Sequence, residues 1–185
     1  MQMRDRRQGR RADRREERQA FGARGNAVRY RMRERLVSIG DDFWIEDSNG
    51  NRAFKVDGKA LRVRSTLHFE DLSGRRLASI QERKARVRDT MEIEGPDGST
   101  IAKVKKAMVT PLRDRYTVSV PGSDDLDVQG NIVDHEYEIS ASGKKVAQVS
   151  KRWFRVRDTY GVEIVPGGND VLILAVAVAI DSISR

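Results

Sequence analysis

Ten consecutive residues near the C-terminus, Val171-Leu172-Ile173-Leu174-Ala175-Val176-Ala177-Val178-Ala179-Ile180, carry no polar side chain in a chain that is 35% charged. Other parts of the fold must cover such a run. As a helix it is apolar all round, which is the pattern of a helix buried on every side. Gly167-Gly168 separates it from what precedes, and Asn169 or Asp170 suits an N-cap. Residues 171–183 would rise only ~20 Å as a helix, against a bilayer core of ~30 Å. A strand is the rival reading, since Val and Ile dominate and Ala175, Ala177 and Ala179 alternate with larger residues. The rest of the chain decides between them, because it supplies many strands and no other filler. The spacing therefore predicts a buried helix over about 170–183, with Val171, Leu172, Leu174, Ala175 and Val178 among its core positions.

With 185 residues the chain can fill one core but is short for two. It has no cysteine, which rules out disulfides, thiolate metal sites and a cysteine nucleophile. The arginine-rich start lacks the apolar centre of a secretory signal, and no run reaches the ~18 apolar residues of a spanning helix. The expectation is a cytoplasmic protein, either soluble or peripheral to a membrane. The net charge of +8 is unevenly placed: residues 1–35 hold thirteen arginines and five acids, and the remainder is balanced. Residues 1–27 are arginine-dense and almost free of large apolar groups, so they read as a disordered arm or a frayed helix. Such an arm suits nucleic acid phosphates or an anionic lipid surface; as a solvated tail it would serve solubility alone.

From residue 28 onward the chain repeats itself. Gly50, Gly74, Gly98 and Gly143 each follow Asn, Ser or Asp, and each precedes an apolar residue by three positions: Ala53, Leu77, Ile101 and Val146. Asn-Gly, Ser-Gly and Asp-Gly are hairpin turn pairs, since glycine takes up the positive φ without a steric penalty. Alternating apolar residues flank each turn, so four β-hairpins are expected. A second motif tracks the first. Arg-x-Arg-x-Thr occurs at residues 62–66, 86–90, 113–117 and 155–159, and three of the four copies begin twelve residues after the hairpin glycine. The third copy has a three-residue insertion around Lys105-Lys106, with Pro111 in the added length.

Four hairpins, together with strands at residues 36–39, 116–120, 126–130 and 160–165, make about a dozen strands. That many strands curl and close, which removes exposed edges. A barrel of this width cannot be filled by its own side chains and needs a plug. The expected fold is all-β, a closed antiparallel barrel of about twelve strands around a buried hydrophobic C-terminal α-helix. Residues 1–27 form the arm and 28–185 the barrel domain.

The segments Phe43-Trp44-Ile45-Glu46-Asp47, Gly50-Asn51-Arg52-Ala53-Phe54-Lys55-Val56 and Val149-Ser150-Lys151-Arg152-Trp153-Phe154-Arg155-Val156-Arg157-Asp158-Thr159-Tyr160-Gly161-Val162-Glu163, with the closing apolar helix, resemble the LURP-one-related proteins. Those proteins belong with the tubby C-terminal domain and the phospholipid scramblases. The likeness spans roughly residues 28–184 and implies a twelve-stranded barrel around a C-terminal helix. Tubby-type domains bind phosphoinositide head groups and scramblases are tied to bilayers, whereas many LURP-one-related proteins have no known activity, so the resemblance implies much less about activity than about fold. Tubby's head-group residues do not match position by position, and none are carried over.

Catalytic and metal-binding candidates are weak. His68 and His135 lie on different hairpins beside Glu70 and Glu136, an ordinary placement on a solvated strand face, and neither has a second ligand at metal spacing. Asp124, Asp125 and Asp127 fall in one loop without EF-hand spacing and read as a plain turn. No phosphate loop opens a helix, and the chain reads as non-enzymatic, without a metal or cofactor. The arginine quintets remain. Both guanidinia of Arg-x-Arg point to one face of a strand, where they can pair with carboxylates such as Asp89, Asp158, Glu92 and Glu163, or form a fork for phosphate. The densest positive groups are Lys84, Arg86 and Arg88, and Lys151, Arg152, Arg155 and Arg157. They are the candidate residues for an anionic phospholipid, a phosphoinositide or a phosphorylated partner. The alternatives are a structural or protein-interaction barrel, and nucleic-acid association through the arm.

Overall fold

A computed structural model describes residues 27–33, 42–58, 66–82, 90–107, 114–154 and 159–184. Twelve antiparallel strands close on themselves: β1 (Val28–Arg33), β2 (Phe43–Asp47), β3 (Arg52–Asp57), β4 (Thr66–Glu70), β5 (Arg76–Glu82), β6 (Thr90–Glu94), β7 (Thr100–Lys106), β8 (Asp114–Ser119), β9 (Leu126–Asn131), β10 (Glu136–Ala141), β11 (Lys144–Ser150) and β12 (Thr159–Ile164). Each strand pairs with its neighbours in sequence, and β1 closes the barrel against β12 over six residue pairs, from Val28 opposite Ile164 to Arg33 opposite Thr159. The twelfth strand is thus Val28–Arg33; the strand expected at residues 36–39 falls outside the described residues.

The four expected hairpins are β2–β3, β4–β5, β6–β7 and β10–β11, and each carries a bulge at the same place, on the strand just after its turn, where Ala53, Leu77, Ile101 or Val146 is the extra residue. An extra residue there steepens the local twist, which helps a sheet to close. Asp47 and Asp71 hold their turns by accepting backbone N–H groups two and four residues ahead. Hydrogen bonding to the ionised carboxylates keeps both acids below their ordinary pKa, through the Asn51 amide first for Asp47 and the Ser73 hydroxyl first for Asp71.

The helix α1 (Asp170–Ile183) runs through the lumen. Ile173 to Asp181 are all buried, and Leu174, Val176 and Val178 have no exposed surface. Burial of each such side chain is worth roughly 1.5–3 kcal/mol. The wall supplies the matching layer, including Met32, Ile45, Phe69, Ile80, Ile93, Val104, Val118, Ile139 and Val162. A closed barrel also explains why the run is helical despite its valines. A strand in the lumen would have no ladder partner, whereas a helix satisfies its own backbone. Asn169 caps it by accepting from the Leu172 N–H at 3.1 Å. Tyr30 donates to Asp170 at 2.6 Å and so ties β1 to the start of α1; burial first, then Asp170, pushes its phenol pKa far up.

The two rims differ in chemistry. One carries the β2–β3, β4–β5, β6–β7, β8–β9 and β10–β11 turns, the entry into β1 and the start of α1. The other, the linker rim, holds the 132–135 turn, the end of α1 and the strand ends joined by every long connection.

Candidate functional site

Five candidate residues, Lys84, Arg86, Arg88, Arg155 and Arg157, lie outside the described residues. The strand ends that flank them do not: Glu82, Thr90, Ser150 and Thr159 all belong to the linker rim, as do Asp57, Thr66, Lys106 and Asp114. The connections leaving this rim, residues 34–41, 59–65, 83–89, 108–113 and 155–158, contain eleven Arg or Lys against four acids. Sequence spacing alone could not show that the strand ends flanking these connections share one rim.

Lys151 and Arg152 are described, and Glu136 organises them. Its carboxylate accepts from the Ser150 hydroxyl at 2.9 Å and from the backbone N–H groups of Lys151 and Arg152 at 3.0 Å. The Arg152 side chain is 85% exposed, with Nε 3.8 Å from Glu136. Beside them the 132–135 turn buries Ile132 and exposes Val133 to 69%. Asn131 and Asp134 clasp this turn through two hydrogen bonds, and the His135 carbonyl accepts from Lys151 N–H at 3.2 Å. Trp153 and Phe154 are half-buried at the same rim. The described part of the rim therefore joins cations, aromatic groups and one exposed aliphatic residue on a braced turn.

His135 corrects the sequence reading. It does not sit on a solvated strand face; it is 9% exposed, at φ 52°, with Nε2 3.0 Å from Asp181 of α1 and its ring stacked on Tyr160 at 4.3 Å. Asp181 is itself 7% exposed, and together with burial it pushes the Tyr137 phenol pKa far up, burial being the larger cause. This node anchors the end of α1 to the rim. The available signal was an acid one residue past a wholly apolar run, which demands a buried partner. Asp181→Ala is expected to lose about 3 kcal/mol, and a double variant with His135→Asn less than the sum of the two single changes. Urea denaturation of the four chains measures that coupling, and additive losses would refute it. His68 is half-buried, with Nδ1 3.2 Å from the Ser79 hydroxyl.

The third arginine quintet shows the pairing role. Arg115 forks onto both oxygens of Asp127 at 2.8 and 2.9 Å, which holds the acid below its ordinary pKa. The carboxylates expected to serve the quintets have other partners too: Glu163 takes Arg29 at 3.0 Å, and Glu92 takes the Thr100 hydroxyl at 2.6 Å with Lys103 at 3.7 Å. Arg31 pairs with Glu46, and Arg52 lies over the Trp44 ring at 4.3 Å. In the acidic loop, Asp125 accepts from Val120 N–H and Asp124 from the Ser142 hydroxyl. Among the described residues no three His, Asp or Glu side chains converge as a metal site.

A concavity of about 510 Å³ opens on the outer face of β9–β11. Asp127, Glu136, Glu138, Gln129, Gln148 and Ser140 line it, without a basic residue. It is the wrong sign for a phosphorylated head group.

The fold defines a class of protein: a twelve-stranded barrel plugged by its C-terminal helix. The profile of the LURP-one-related family matches residues 28–181, and the chain belongs to that family. A solved structure of an Arabidopsis thaliana protein is similar with a TM-score of 0.65 and 19% identity, over 86% of this chain and 92% of that one, a likeness of fold alone. Comparison with curated proteins finds no match. No helix among the described residues is long and apolar enough to cross a membrane.

Proposed function

We propose that this chain is a non-enzymatic module that docks on an anionic phospholipid surface through its linker rim. The observation that carries the reading is that the strand ends flanking every arginine-rich connection share that one rim, beside Lys151, Arg152, Trp153, Phe154 and Val133. Each Lys or Arg near an anionic leaflet contributes about 1 kcal/mol, and aromatic side chains favour the head-group level. The scramblase-like and phosphoinositide-binding relatives implied by the resemblance agree with this role, and a peripheral cytoplasmic location follows from it. The pairing of Arg29, Arg31 and Arg115 with acids favours a second reading, a protein-interaction barrel whose wall arginines only set register.

Flotation of the full chain with vesicles tests the proposal. Binding to phosphatidylserine or phosphoinositide vesicles, little binding to phosphatidylcholine, and steep weakening with salt are expected. Arg86→Glu with Arg88→Glu, or Arg152→Glu with Val133→Asp, should each lower the affinity about tenfold or more. Equal binding to neutral vesicles, or variants without effect, would refute the rim. Loss on deleting residues 1–26, with tight binding to DNA at the same salt, would instead favour nucleic-acid association through the arm.

A further inference from the structure

We propose that the acid-lined groove on β9–β11 is the docking site of this chain's own arginine-rich N-terminal segment, residues 1–26. The register supports it first. Val28, where that segment joins the barrel, lies in one row with Ile164, Ala147, Ile139 and Val128 across β1, β12, β11, β10 and β9. The next row is Arg29, Glu163, Gln148, Glu138, Gln129 and Arg115. Three members of that second row, Gln148, Glu138 and Gln129, are groove walls. Strands lie about 4.8 Å apart, so the three steps from β1 to β10 cover about 14 Å around the wall. Five extended residues span that distance at about 3.3 Å each, which leaves enough of the segment to fill the groove.

Charge and shape point the same way. Residues 1–26 hold nine arginines and four acids, whereas the groove walls hold three carboxylates and three neutral polar side chains that can accept hydrogen bonds. Arg115, Lys145 and Arg152 reach Asp127, Glu138 and Glu136 from outside the lining, and the Glu138 side chain remains 53% exposed. Gly130, which lines the groove, lets β10 come close to β9: a Cβ there would lie 2.4 Å from the Glu136 carbonyl oxygen and 2.6 Å from Tyr137 Cα. Tethering supplies the rest. A short flexible connection raises the local concentration of its end to about millimolar, so weak guanidinium–carboxylate contacts suffice. Docked in this way, the arginines are withheld from other polyanions until one competes for them.

The chain has no cysteine, so Gln19→Cys places a single spin label on the segment of the full-length protein. Paramagnetic broadening should remove most of the amide signal of Gln129, Glu138 and Gln148, and spare His68 and Gln81 on the far wall. The effect should disappear at high salt and in Glu138→Lys. Gln148→Lys, a milder surface change, should also reduce it, and each variant's own amide spectrum reports its fold. Broadening spread evenly around the barrel, or unchanged in folded Glu138→Lys and Gln148→Lys, overturns the proposal. So does broadening that appears when labelled chain is mixed with unlabelled isotope-enriched chain, because the occupant would then be a second copy.

Discussion

Leu174→Asp or Val176→Asp is expected to yield an unfolded or insoluble protein. Both positions lie at the middle of α1 with no exposed surface, surrounded by the apolar layer of the barrel wall. An ionised carboxylate there has no partner and no water, which costs several kcal/mol out of a total stability of about 5–15. The wall cannot relax around the change, since twelve strands are already closed on one another. Leu174→Met, which conserves volume and polarity, should lose less than about 1.5 kcal/mol. Circular dichroism melts of the three chains test the pair of statements. A folded Leu174→Asp chain with an unchanged melting temperature would show that the helix is not the centre of the fold.

Gly130→Ala should be the most damaging glycine substitution, with a loss of about 3 kcal/mol from backbone strain and overpacking together. Gly130 stands at φ 148°, and the added Cβ would run into the backbone of β10 at both of its nearest contacts. Neither is a flexible side-chain end, so β9 and β10 must separate. Gly74 is the control. Its φ of 81° is equally foreign to L-residues, but an added Cβ would meet nothing within 4 Å. Gly74→Ala should therefore cost only about 1 kcal/mol, the backbone preference alone. Urea midpoints compare the two directly, and an equal loss would mean that the close approach of β10 is not what holds residue 130 as glycine.

The two rims separate what was legible in the chain from what was not. The hairpins at Gly50, Gly74, Gly98 and Gly143, the alternating wall, the apolar plug and its Asn169 cap were all readable, because each is set by contacts within a few residues. Strand count and closure were readable as well, since a row of hairpins with no other filler has few ways to bury a helix. The first strand was not. Val28–Arg33 is rich in arginine, and its alternation becomes visible only when β12 lies beside it and Glu163 takes Arg29. His135 and Asp181 are 46 residues apart; the apolar run before Asp181 marks a buried acid, but nothing local names His135 as its partner. The carboxylate groove likewise arises from β9, β10 and β11 meeting in register over Gly130. The sequence by itself determined the elements and the identity of the core, because hydrophobic burial and turn chemistry act over short spans. Only the tertiary structure decided which charges meet which, because pairing depends on register and on strands brought side by side by closure of the barrel.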